Sequence, residues 1–138
     1  MEEILTACRE RGLRITKPLK VILKVLKEAP LPMSLAELEQ EIDSCDRTTI
    51  YRTLQRLEQV GVLRQLNFIK QGTKFTLKAD NEHKDYLICE GCGKIEALEV
   101  DCPVKSLEKK LMEKTGFRGL SHELEFYGLC PKCEYPEP

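Results

Sequence analysis

Four cysteines in two equally spaced pairs, Cys89-Glu90-Gly91-Cys92 and Cys130-Pro131-Lys132-Cys133, constrain this chain more than any other feature of it. Together they supply four thiolates, the complete tetrahedral shell of a structural zinc ion. A lone CxxC pair would leave a thioredoxin-like redox couple open, but two pairs favour a closed metal site. The count of seven cysteines is odd, and a reducing cytosol favours metal over disulfide. The pairs bracket the C-terminal part of the chain, which is therefore expected to be a small domain closed by metal. The residues before it must have another task.

Charge separates the two parts as well. Residues 1–78 carry 14 Lys and Arg against 10 Asp and Glu, whereas residues 79–138 carry 8 against 13. A basic front joined to an acidic back suggests that only the front meets a polyanion. At 138 residues the chain fits one domain or two small ones. The N-terminus, Met1-Glu2-Glu3-Ile4, is acidic and lacks the apolar stretch of an export signal. No apolar run approaches the ~20 residues of a membrane span. The expectation is a cytoplasmic protein with no membrane partner.

Helical periodicity begins at Ile4, Leu5 and Cys8 and stops at Gly12. A second helix is predicted over about 18–28, broken by Ala29-Pro30-Leu31-Pro32. Ser34-Leu35-Ala36-Glu37 reads as a capping box that opens a short helix to about Ile42. Asp46 caps a further helix from Arg47 to about Val60, ended by Gly61, and strands follow near 62–66 and 74–77. This order is that of a winged helix-turn-helix, whose last helix before the wing enters the DNA major groove. Ile50, Leu54 and Leu57 form the inner face of that helix. Arg47, Thr48, Tyr51, Arg52 and Gln55 form the outer face, where Arg, Gln and Thr can bond base edges and Tyr can touch phosphate or a thymine methyl. Asp80-Asn81-Glu82 reads as a hinge. Beyond it, strands are expected over 86–89 and 95–100, a helix over 104–115 with Pro103 in its first turn and Gly116 past its end, and a strand over 122–127.

Four stretches resemble the Fur family of metal-responsive repressors. They are Gly12 to Thr16, the Thr49-Ile50-Tyr51-Arg52-Thr53-Leu54 helix, His83 to Lys94 around the first CxxC, and His122 to Cys133 around the second. The most specific parts are the Thr-Ile-Tyr-Arg helix and the matched cysteine spacing. The resemblance implies an α+β chain: an N-terminal winged-helix DNA-binding domain over residues 1–80, then a small α/β zinc-containing dimerisation domain over residues 81–138. It implies a homodimer on a double-stranded DNA operator, with metal at the hinge closing the dimer. Arg14, Lys17 and the 47–55 face, Thr49 included, are then the expected DNA contacts.

Cys89, Cys92, Cys130 and Cys133 are the expected structural zinc ligands. The resemblance also implies a second, regulatory divalent metal, Zn2+ or Fe2+/Mn2+, with His83, Asp85 and His122 at matching positions. His83 and His122 are the only two histidines in the chain. The chain departs from the family pattern in three places, two of which reduce this sensory apparatus. Lys105 stands where many members have a helix Glu ligand, and Glu108 and Cys102 are the possible substitutes; a thiolate there would favour zinc. Lys84 and Tyr86 stand where members often carry His, and Thr76 replaces an acidic residue. Leu19 stands where an Arg near DNA is common, with Arg14, Lys17 and Lys20 available for the same phosphates.

Cys8 and Cys45 read as packing thiols. The expected function is therefore a metal-responsive, dimeric DNA-binding regulator, a repressor by resemblance, with no catalytic residues and no small-molecule substrate. The alternatives are a Fur-like DNA-binding protein that has lost metal sensing, and a zinc-ribbon module that binds protein.

Overall fold

Helix boundaries in the computed structural model follow local capping chemistry; the structure describes residues 1–68, 71–78, 85–98, 102–120, 122 and 124–134. The chain divides into two compact units, Met1–His83 and Lys84–Pro138.

In the first unit, α1 (Glu2–Glu10) buries Leu5 and Cys8. Helix α2 (Lys17–Glu28) starts at Thr16, whose hydroxyl accepts the Leu19 N–H at 3.3 Å, and Pro18 occupies its first turn, where a missing N–H costs nothing. Helix α3 (Leu35–Glu41) starts at Ser34, whose Oγ accepts the Glu37 N–H at 3.1 Å and faces Glu37 Oε1 at 3.3 Å. Helix α4 (Arg47–Gln59) starts at Asp46, whose Oδ1 accepts the Thr49 N–H at 2.8 Å. The chain leaves α4 through Gly61 at φ +77°, a left-handed backbone that glycine adopts without a Cβ clash.

Strands β1 (Leu63–Phe68) and β2 (Gly72–Leu77) form the antiparallel wing, in register from Leu63↔Leu77 to Phe68↔Gly72. Both run longer than the sequence suggests, because each added residue finds a ladder partner. Met33 and Phe75 exchange backbone bonds of 2.9 and 2.7 Å, so the segment before α3 lies on the wing. Lys74 Nζ meets Glu37 Oε1 at 2.7 Å and joins the wing to α3.

The α2–α4 helices and the wing close over one apolar cluster that includes Ile22, Leu23, Leu38, Ile50, Leu54 and Leu57. Each such side chain contributes roughly 1.5–3 kcal/mol on burial. Leu19 belongs to this cluster at 3 % exposure, so the position read as a DNA-proximal one is used for packing. Its place on the buried face of α2 leaves an apolar residue there and puts the cations on exposed Arg14, Lys17 and Lys20.

The second unit is a three-stranded sheet in the order β4-β3-β5, with β3 (Tyr86–Cys89), β4 (Ile95–Ala97) and β5 (Glu125–Gly128). β3 and β4 pair antiparallel around the first CxxC turn; β3 and β5 pair parallel, from Tyr86↔Glu125 to Cys89↔Gly128. Parallel neighbours need a long crossover, and it carries α5 (Lys105–Thr115), followed by Gly116 at φ +80°. The helix begins at Lys105 behind Val104, which makes no side-chain cap, so Pro103 precedes the helix instead of sitting inside its first turn. A short α6 (Pro131–Glu134), unforeseen in the sequence, holds the last cysteine of the second CxxC. Helix α5 buries none of its residues, and its Leu107 and Leu111 are exposed. Among the described residues no helix is long and apolar enough to cross a membrane.

Candidate metal centres and nucleic-acid face

Parallel pairing of β3 with β5 is what assembles the thiolates. The Cys89↔Gly128 register brings the ends of both strands to one edge of the sheet, and the two CxxC turns leave from there. The four Sγ atoms of Cys89, Cys92, Cys130 and Cys133 lie within 4.8 Å of one another, and Cys92 Sγ stands 3.7 Å from Cys130 Sγ. A tetrahedron of sulfurs around zinc at about 2.3 Å has edges of about 3.8 Å, so the spacing fits the ion.

Backbone geometry supports the charge. Cys89 Sγ accepts N–H groups from Gly91 at 3.3 Å, Cys92 at 3.4 Å and Cys130 at 3.3 Å. These donors, those of Cys130 and Cys92 foremost, hold the Cys89 thiol down at about 5. Cys133 is pushed up to about 12, first by its hydrogen bond with the Cys89 sulfur and then by that with Cys130. Four thiolates this close oppose one another, and a divalent cation removes the conflict. Gly91 was not singled out in the sequence, yet it is part of the centre: a Cβ there would lie 2.8 Å from Cys133 Sγ.

A second cluster sits at the other end of the same strand pair. Asp85 immediately precedes β3, His122 lies three residues before β5, and Cys102 lies three residues before α5. Their ligand atoms are within 4.8 Å of one another, and Cys102 Sγ is 2.9 Å from His122 Nε2. Glu108, in the first turn of α5, contacts the other ring nitrogen, Nδ1. Asp85 is only 5 % exposed. Carboxylate, thiolate and imidazole are all donors that zinc accepts. The structure thus brings together four of the five residues expected at a regulatory site, while His83, like Lys84, lies outside the described residues. Tyr86, at a position where a histidine was the alternative, is core at 2 % exposure.

The outward face of α4 is polar. Arg47, Thr48, Tyr51, Arg52 and Gln55 are exposed, Thr49 is half-buried, and Ile50, Thr53, Leu54 and Leu57 point inward. Thr53 stays satisfied inside by donating its hydroxyl to the Thr49 carbonyl at 2.8 Å. Gln55 Nε2 donates to the Tyr51 hydroxyl at 3.2 Å, a contact that the i, i+4 spacing makes available. At the foot of the helix, Arg11 Nη1 donates to the Val60 carbonyl at 2.9 Å and ties α1 to the end of α4.

A winged helix followed by a small sheet domain with a four-thiolate centre defines a class, the metal-dependent transcriptional regulators. Within that class the chain belongs to the ferric uptake regulator family, whose model matches residues 10–127. It is 31% identical over 140 residues to the ferric uptake regulation protein of Campylobacter jejuni, covering 96% of this chain and 87% of that protein. It is 30% identical over 131 residues to the ferric uptake regulation protein of Legionella pneumophila, covering 91% and 95%. The solved ferric uptake regulator of Vibrio cholerae superposes with a TM-score of 0.69 at 27% identity, covering 91% of this chain and 98% of that one.

Proposed function

We propose that this chain binds an operator in double-stranded DNA as a homodimer, holds a structural zinc at Cys89, Cys92, Cys130 and Cys133, and is switched by a second divalent cation at the Asp85–Cys102–His122 cluster. The observation that carries the DNA reading is the two-sided α4. Its inner face is fully committed to the core, and its outer face offers Arg47, Thr48, Tyr51, Arg52 and Gln55 at helical spacing beside a wing. Arg14, Lys17 and half-buried Thr49 complete the proposed contacts. Base-edge bonds from the α4 face give specificity, and lysine and arginine contacts to phosphate give an affinity that falls steeply with salt.

The homodimer is supported by apolar surface in the second unit. Leu87, Leu107, Leu111, Phe126 and Leu129 are exposed there, together with Phe117 at 65 % exposure, and β5 is an edge strand. A monomer in water does not ordinarily leave so many large apolar groups open in so small a unit. The switch needs the second cation to bind the DNA-competent dimer better than the incompetent one, since only differential affinity moves a population. The names of the Campylobacter and Legionella relatives agree with a metal-linked regulator.

The test is retention of genomic DNA fragments by the zinc-loaded protein in a gel shift, with and without an exchangeable divalent ion. Retention that follows the ion is the expected result. Retention in every condition would leave a DNA-binding protein without metal sensing. No retention in any condition would overturn the DNA reading in favour of a protein-binding zinc module.

A further inference from the structure

We infer that the two groups flanking His122 have different tasks: Cys102 is a metal ligand together with Asp85 and His122 Nε2, and Glu108 is a positioning residue that holds His122 Nδ1. The site then takes a borderline-soft divalent cation, Zn2+ or its spectroscopic stand-in Co2+, in preference to Mn2+ or Fe2+. This rests on the reading above that the Asp85–Cys102–His122 cluster binds metal.

The assignment follows from which ring nitrogen each neighbour meets. Cys102 Sγ faces Nε2 at 2.9 Å, and Glu108 Oε1 faces Nδ1. The lone pairs of an imidazole point away from each other, so one ion bonds one nitrogen only. A cation on Nε2 lies on the side of Cys102, with Asp85 in the same group of converging ligand atoms. Glu108 then stands behind the ring. There its carboxylate accepts the Nδ1–H, selects the tautomer with a free Nε2 lone pair, and makes that nitrogen a better donor. The chain-specific residues fit the assignment. Lys105 supplies no donor at the start of α5, and the missing negative charge is replaced by a thiolate three residues earlier. Thiolate is a soft ligand, which selects zinc over manganese or iron; an all-oxygen and nitrogen set would not. On binding, the Cys102 thiol releases its proton to solvent and the metal takes the sulfur lone pair.

The experiment is a Co2+ titration of the full chain with zinc retained in the four-cysteine centre, followed by optical absorption. The wild-type protein is expected to gain a near-ultraviolet thiolate-to-cobalt charge-transfer band. Cys102→Ser should lose that band while keeping its structural zinc and its circular dichroism. Glu108→Ala should keep the band but need about 10–100-fold more Co2+. Glu108→Gln should recover much of the affinity, since its amide oxygen still accepts the Nδ1–H. Mn2+ in excess should leave the band in place. Cobalt bound by wild-type protein without a charge-transfer band, a band unchanged in Cys102→Ser, or ready displacement by Mn2+ would each overturn the inference. If no Co2+ bound at all, the second-site reading itself would fall along with the inference.

Discussion

Gly91 stands so close to Cys133 that a Cβ on it would lie 2.8 Å from the Sγ and 3.1 Å from the Cβ of that cysteine. In the proposed zinc centre the obstructing atom is a ligand sulfur, which could not move aside without distorting the tetrahedron. Gly91→Ala is therefore expected to weaken the thiolate centre by about tenfold or more. The check is the rate and midpoint of zinc loss to a chromophoric chelator, against the wild-type protein.

Removing that zinc should unfold the second unit and spare the first. The first unit closes on a broad apolar cluster, whereas the buried apolar residues described in the second are Tyr86, Ile88, Cys89 and Ile95, and α5 buries nothing. A structural zinc contributes on the order of 10–16 kcal/mol to ordering such a segment. Chelation under reducing conditions should expose 84–138 to protease while leaving helical circular dichroism from α1–α4. Resistance of both units to cleavage would contradict this.

The Asp46 cap makes the start of α4 sensitive to acid. The Thr49 hydrogen bonds, side-chain first and then backbone, hold its carboxyl below the usual 3.8. A depressed carboxylate contributes stability that is present above its unfolded value and is lost as pH falls through the lower folded one. Asp46→Ala should lower the thermal midpoint by a few degrees at neutral pH. Asp46→Asn keeps a neutral acceptor and should retain most of the cap while flattening the acid limb of the stability curve.

Tyr51 and Gln55 should act as a pair. While the Gln55 amide donates to the Tyr51 hydroxyl, its carbonyl oxygen and second N–H remain available to a base. Tyr51→Phe removes the acceptor from an exposed side chain, so fold stability should hardly change. Discrimination among operator variants should fall by about 1–3 kcal/mol at one or two positions. Selection from a randomised duplex pool reads this directly. Lys17→Ala, which removes a proposed phosphate contact, should instead weaken all sequences alike and reduce the salt slope by about one.

Lys105 lines the same open hollow on α5 as Cys102 and Glu108. Its ammonium opposes a cation at the nearby cluster, although solvent screens an exposed charge heavily. Lys105→Glu is expected to raise second-site Co2+ affinity by about three- to tenfold. An unchanged isotherm would show that the charge is not felt there.

Much of the first unit was legible from local rules. Ser34 and Asp46 cap where their side-chain chemistry predicts, the Thr16 cap came to light only in the structure, and the 3.6-residue period correctly divided α4 into its two faces. Leu19 was less legible. Its chemistry says apolar, but whether the residue faced the core or the solvent depended on how α2 packs against its neighbours. In the second unit a strand was expected over 122–127, with side chains alternating between two faces as strand geometry requires. The strand is shorter, parallel to β3 and at the sheet edge, and both Phe126 and Tyr127 are exposed. With side chains on both faces exposed, the strand has no buried face for alternation to report.

The sequence by itself determined that four thiolates would meet, because cysteine spacing of this kind has one economical use, and it determined where α3 and α4 begin, because the Ser34 and Asp46 caps act over three residues. It did not determine what Cys102 and Glu108 do for His122. Those residues are separated from the histidine by 20 and 14 positions, and their tasks depend on which side of one ring each approaches. Only the β3–β5 register and the placement of α5 set that orientation, since ligand geometry across long chain separations is a property of packed strands and helices and carries no local periodic signature.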